Sequence, residues 1–135
     1  MHIAVILVVL VIAIFLMRDT ILVTKNILGS WIGSPDFCDK AGVDSFIFLI
    51  QSVSSTKIEG NLIIVVDEML EIVPCSLRYF ALLRPHFCVS ARIDCDIMPE
   101  TATIEYSLYD GHIRIVDNET IYADIYRDNT IVFDQ

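Results

Sequence analysis

A chain of 135 residues with 55 % hydrophobic side chains and a mean hydropathy of +0.62 has the length of one domain and is unusually apolar. The formal charge is −9, and residues 26–135 alone carry 17 acidic against 7 basic groups. No basic stripe offsets that surface, so nucleic acid is excluded as an expected partner; a basic protein partner, or solubility alone, fits the charge.

Residues 3–17 contain no polar side chain, and twelve of the fifteen are Ile, Leu, Val or Phe. Each is worth roughly −0.3 to −0.6 kcal/mol at a bilayer centre, so insertion is favoured by about 5 kcal/mol. A transmembrane helix is predicted, with Ile3, Leu7, Leu10, Ile14 and Met17 in lipid and Arg18 snorkelling to the interface. Fifteen residues reach only about 22 Å, short of a hydrocarbon core of about 30 Å, so flanking residues or thinning must absorb the difference. A cleaved signal peptide would want a basic start and small residues at the cleavage site, and residues 15–18 are Phe-Leu-Met-Arg. A buried core helix would rarely lack every polar residue. Arg18 and Lys25 both follow the apolar run, which places the remaining domain in the cytosol. The sequon at Asn118 is then expected to stay bare.

The predicted organisation is residues 1–25 as anchor and flank and residues 26–135 as an acidic β domain. Residues 18–33 read as a connector in which the helix breaks near Gly29. Ser34 as cap, Pro35 at the first helical position and Gly42 as stop mark one short helix over 35–41, with Phe37 and Cys38 toward the core. The period then becomes two. Residues 46–50 form a continuous apolar run, expected to be a strand buried on both faces. Further strands are predicted at 58–66, at 69–73 ended by Pro74, and at 77–83 ended before Pro85. Residues 86–94 alternate cleanly, and residues 102–108 lead to Asp110-Gly111, a hairpin signal. Strands at 113–115 and 121–126 follow, with a turn at 117–119. A last turn at Asp128-Asn129 leads into a strand over 131–133. Eight or nine short strands predict a mainly β fold, an antiparallel sandwich or a partly closed barrel.

Chemistry is thinly represented. No G-x-S-x-G, H-E-x-x-H, phosphate-binding glycine loop or dinucleotide fingerprint occurs. His86 and Cys88 share a strand face, an arrangement that arises by accident more often than as a nucleophile pair. Asp94 with Asp96, and Asp67 with Glu68 and Glu71, lack calcium-loop spacing and read as solvated turn acids. Cys38, Cys75, Cys88 and Cys95 lack zinc spacing and read mainly as free thiols. The expectation is a protein that is not an enzyme, with no catalytic residue, cofactor or metal. Trp31, Phe37, Tyr109, Tyr122 and Tyr126 are candidate interface residues, with Tyr106, Tyr109, Tyr122 and Tyr126 as an aromatic patch across two strands.

The stretch Trp31-Ile-Gly-Ser34-Pro35-Asp-Phe37-Cys38-Asp-Lys-Ala41-Gly42-Val-Asp44 resembles small virion proteins of nucleocytoplasmic large DNA viruses. The ending from Asp110-Gly111 through Tyr122-Ala123-Asp-Ile125-Tyr126-Arg-Asp128-Asn129 is similar to their last hairpins. These viruses include the iridovirus, marseillevirus and chlorella-virus groups. The likeness covers about a third of the chain, and its motifs are structural, so no catalytic residue is carried over. It implies a minor capsid or membrane-anchor protein, in multiple copies, tethering the inner viral membrane to an icosahedral shell. Its partners would be the lipid bilayer and the major and other minor capsid proteins. A membrane receptor with a lumenal or extracellular ligand-binding sandwich is the alternative. Against an immunoglobulin form, the single Trp31 precedes every cysteine.

Overall fold

The structure is a computed structural model that describes residues 2–128. A long helix, α1 (His2–Ile27), leads into β1 (Gly29–Gly33) and a short helix, α2 (Pro35–Ala41). Seven strands follow: β2 (Ser45–Val53), β3 (Lys57–Val66), β4 (Met69–Arg78), β5 (His86–Asp94), β6 (Thr101–Ser107), β7 (His112–Asp117) and β8 (Thr120–Arg127). Each strand pairs antiparallel with its sequence neighbour, and β8 returns to β1, so the sheet closes into an eight-stranded up-and-down barrel. Of the two expected forms the barrel stands and the sandwich does not. The expected strand over 131–133, and Asn129 of its turn, lie outside the described residues.

Closure gives every strand an inside and an outside, and the period-two pattern follows from it. Trp31, Phe46, Phe48, Leu62, Val73, Leu77, Ile104, Tyr106, Ile115 and Ile125 point inward and fill the interior. The run 46–50 is explained differently from the expectation. Phe46, Phe48 and Ile50 are buried, but Ile47 and Leu49 point outward and stay half-buried. Ile47 belongs to an apolar row on the outer surface, in which Tyr126 of β8, Ile32 of β1, Ile47 of β2, Ile63 of β3 and Ile72 of β4 stand side by side.

Three boundaries differ from expectation. Residues 29–33, read as connector, form β1; Gly29 at φ 115° breaks the helix where expected, and the chain enters the barrel at once. Pro74 does not end a strand. β4 runs through it to Arg78, because β4 pairs with β5 only at Ser76, Leu77 and Arg78, so its earlier half is an open edge that tolerates a missing N–H. Residues 79–83 are then an irregular connection rather than a strand, although Tyr79 and Leu83 are buried in the core.

Other elements form where the sequence places them. Ser34 Oγ accepts the Phe37 N–H at 3.2 Å, Pro35 opens α2, and Gly42 at φ 74° closes it. Asp67 and Glu68 make the β3–β4 turn with positive φ at both residues, the twist a two-residue hairpin needs. Gly60 is dictated by a close approach: a Cβ there would lie 1.9 Å from the Leu49 carbonyl oxygen.

Candidate membrane interface

The barrel has two ends, and the alternation of up and down strands assigns every connection to one of them. The proximal end, where α1 enters, holds residues 54–56, 79–85 and 108–111 together with Arg127 at the end of β8. The distal end holds α2 and its flanks, residues 67–68, 95–100 and 118–119. Hydrogen bonds confirm the grouping. The amides of Tyr79 and Ala81 donate to the carbonyls of Thr56 and Ser55, and the Leu108 amide donates to Pro85, all proximal. The amide of Asp44 donates to Val65, at the distal end.

Helix α1 changes character along its length. From Ile3 to Leu22 its apolar side chains are exposed on every side, including Ile3 at 73 %, Leu7 at 56 %, Leu10 at 53 %, Ile14 at 55 % and Met17 at 63 %. Val23 and Ile27, one turn further on, are fully buried in the proximal mouth of the barrel. The last turn of the helix, residues 23–27, therefore packs with the barrel. It is fixed there by polar contacts: Trp31 Nε1–H donates to the Ile27 carbonyl at 2.7 Å, Arg127 to the Leu28 carbonyl at 2.6 Å, and the Tyr106 hydroxyl to Asn26 Oδ1 at 2.8 Å. The first two donors satisfy carbonyls that a helix C-terminus leaves without partners, and the third holds a side chain of the last turn. The Arg127 guanidinium also lies 5.7 Å from the Trp31 ring centroid. Burial pushes the Tyr106 phenol up, with Arg127 opposing, so it remains a donor.

The projecting part is the segment a bilayer would accommodate. At about 1.5 Å per residue, residues 2–22 span about 32 Å, against a hydrocarbon core of about 30 Å. The helix does not stop at Met17, but it continues through Arg18 and Asp19, whose charges belong at an interface, so the uninterrupted apolar stretch remains residues 3–17. Thr20 donates its hydroxyl to the Leu16 carbonyl at 2.9 Å, so its polar group is satisfied within the helix. A core helix is ruled out for this stretch, since none of its apolar window is covered.

Side chains around the base of α1 differ from those at the far end. Phe80 is 82 % exposed and Leu82 59 %, both in the β4–β5 connection, and Tyr109 is 83 % exposed beside Asn26 in the recess at the helix base. Lys25, Lys57, Arg84 and Arg127 are at this end, with Asp110 and Asp128 as its acids. The distal connections carry Asp36, Asp39 and Asp44 around α2, Asp67 and Glu68 between β3 and β4, Asp96 and Glu100 between β5 and β6, and Glu119 between β7 and β8. Against these eight carboxylates stands Lys40. The net charge of the chain is thus an axial gradient.

The expected aromatic patch is not assembled. Trp31 and Phe37 are buried, Phe37 edge-on to Phe46 with centroids 5.1 Å apart. Tyr106 is inside the barrel, Tyr122 is half-buried against the core, and Tyr126 stacks on His112 at 4.2 Å, outside. Tyr109 alone of the group stands free in the proximal loops. Alternation separates them: Tyr106 turns inward on β6, Tyr122 and Tyr126 face outward on β8, and Tyr109 lies in the loop after β6. Phe80 and Leu82, which sequence reasoning assigned to a strand, are exposed because that strand ends at Arg78.

His86 and Cys88 lie on the exposed outer face of β5, as alternation requires, and Asp67, Glu68 and Glu71 remain solvated. His112 and Asp124 pair across β7 and β8. Among the described residues no group of three or more His, Cys, Asp or Glu side chains is placed to hold a metal ion. Comparison of the chain with protein-family models, curated proteins and solved structures finds no significant match to any of them.

Proposed function

We propose that the chain is a single-pass membrane protein whose barrel is a structural module, seated on the bilayer by its proximal end and offering its acidic end and isoleucine row to protein partners. The observation that carries this reading is α1: its residues 3–17 are apolar, project clear of the barrel, and belong to a helix joined to the barrel without a flexible link. Such a surface in water would be far larger than a soluble protein tolerates. Phe80, Leu82 and Tyr109 suit the headgroup boundary, where aromatic and apolar tips reside. Arg18, Lys25, Arg84 and Arg127 suit an anionic leaflet, which is the cytoplasmic one, so the barrel faces the cytosol. The finer reading follows the viral resemblance: a minor capsid or membrane-anchor protein, not an enzyme, that ties an inner viral membrane to an icosahedral shell in many copies.

Expression of the full chain in eukaryotic cells tests the membrane part. The protein should stay in the membrane fraction through alkaline carbonate washing, and Asn118, exposed in the β7–β8 turn, should carry no glycan. Release by carbonate overturns the membrane reading. A glycosidase-sensitive mass shift overturns the orientation and favours the lumenal receptor. Cross-linking in intact virions, with capsid proteins as the expected neighbours, tests the finer reading; absence of the protein from virions ends it.

A further inference from the structure

The barrel is held unevenly around its circumference. β3 and β4 share ten register pairs, whereas β4 and β5 share three, Ser76 with Asp94, Leu77 with Ile93 and Arg78 with Arg92. One step further in the same register, Cys75 stands opposite Cys95. Cys75 is 2 % exposed and Cys95 is half-buried. They open onto a surface cleft lined also by Glu59, Asn61, Asp94 and Asp96. The other cysteines are placed differently: Cys38 is buried beneath α2, and Cys88 is exposed on the outer face of β5, opposite Glu105.

We infer that Cys75 and Cys95 are a redox site, which a low-molecular-weight disulfide such as oxidised glutathione converts into an intramolecular disulfide that staples the β4–β5 seam. Directly opposed residues of an antiparallel pair have Cα atoms about 4.5–5.5 Å apart, within the range a disulfide spans. The division of labour follows from the surroundings. The neighbouring Cys75 thiol, with the Ile97 amide, outweighs burial and the charges of Asp96 and Asp94 and lowers the Cys95 thiol to about 7. Cys75, beside Cys95 and deeply buried, is pushed far up. Cys95, the more exposed of the two as well as the more acidic, is therefore the nucleophile and Cys75 the resolving thiol.

In the first step the Cys95 thiolate attacks one sulfur of oxidised glutathione. A mixed disulfide forms at Cys95, and a glutathione thiolate leaves and takes up a proton. With the Cys95 thiolate consumed, Cys75 gives its proton to water and attacks the Cys95 sulfur, expelling the second glutathione. Two protein thiols are oxidised, and one glutathione disulfide is reduced to two glutathione molecules.

The test uses the full chain in detergent micelles or nanodiscs at neutral pH, treated with oxidised glutathione and digested without reduction. Cleavage after Lys and Arg puts the four cysteines on separate peptides. The expected product joins the Cys75 and Cys95 peptides, with a mass about 2 Da below their sum, and its rate of formation rises with pH through the region of 7. The oxidised protein should melt roughly 5–10 °C higher than the reduced form. Cys88→Ser should leave the link intact, and Cys75→Ser should halt the reaction at a glutathione adduct on Cys95. A wild-type protein that accumulates that adduct, links a different pair, or leaves Cys95 free while Cys88 reacts overturns the inference. The wild-type peptide map decides even if a variant fails to fold.

Discussion

The two ends of the barrel are each closed by a helix, and they solve the problem differently. At the distal end α2 is capped by its own neighbours in sequence: Ser34 at its start, Gly42 at its stop, and Phe37 and Cys38 turned into the mouth. At the proximal end α1 is closed by distant residues, Trp31, Tyr106 and Arg127, which reach its final carbonyls and Asn26. A local cap needs only a local pattern, and its loss stays local. A tertiary cap ties the helix to strands at both ends of the barrel sequence, so what disturbs it is felt across the sheet. Charge sharpens the contrast, with carboxylates gathered at the distal end and aromatic and basic groups at the proximal one.

The strongest way to break this comparison is to attack the projecting helix. Leu10→Lys combined with Ile14→Lys places two charges near the bilayer centre, each costing about 3 kcal/mol, which cancels the favourable insertion of about 5 kcal/mol. Membrane-bound protein in a flotation assay should fall to a small fraction. The barrel should keep its melting temperature, because neither residue touches it. Trp31→Ala comes next. It empties a large site in the proximal mouth and removes the donor to Ile27, with an expected loss of roughly 3–5 kcal/mol in denaturant unfolding. Helix and barrel should be weakened together. At the distal end Ser34→Ala removes a cap worth about 1 kcal/mol and should raise amide exchange in α2 alone. An effect on membrane association would contradict the independence of the two ends. Tyr106→Phe is the mildest test, removing one hydrogen bond to Asn26 at a cost of about 1 kcal/mol. It should loosen α1 at its last turn without emptying the interior.

The distal end was legible from sequence, and the proximal end was not. Ser34-Pro35 and Gly42 bound α2 because capping is a matter of residues three and four apart, which a linear reading sees. The alternation of β5 and the turns at Asp67-Glu68 and residues 117–119 were readable for the same reason. Residues 29–33 were missed because two glycines in five hide any alternation, and only closure of the barrel shows that Trp31 points inward. Residues 77–83 were overextended because Tyr79 and Leu83 are apolar and buried, yet the ladder stops at Arg78. Burial without pairing looks like a strand in sequence. The run 46–50 reads as a doubly buried strand because apolar residues on the outer wall, Ile47 and Leu49, and in the interior, Phe46, Phe48 and Ile50, give the same unbroken sequence. The thiol pair depends on a register fifty-seven atoms of backbone cannot announce in advance: Cys75 and Cys95 meet only once Ser76 has found Asp94.

The bonds from Trp31 and Arg127 to the end of α1 have a mechanical consequence. Trp31 belongs to the first strand and Arg127 to the last, and those strands lie side by side. A pull transmitted through the helix is divided between both, so the two strands are loaded together and the first is not peeled from the last. The barrel is mounted as on a bracket, its tilt set by the helix, so a sideways force on the barrel becomes torque on the projecting rod.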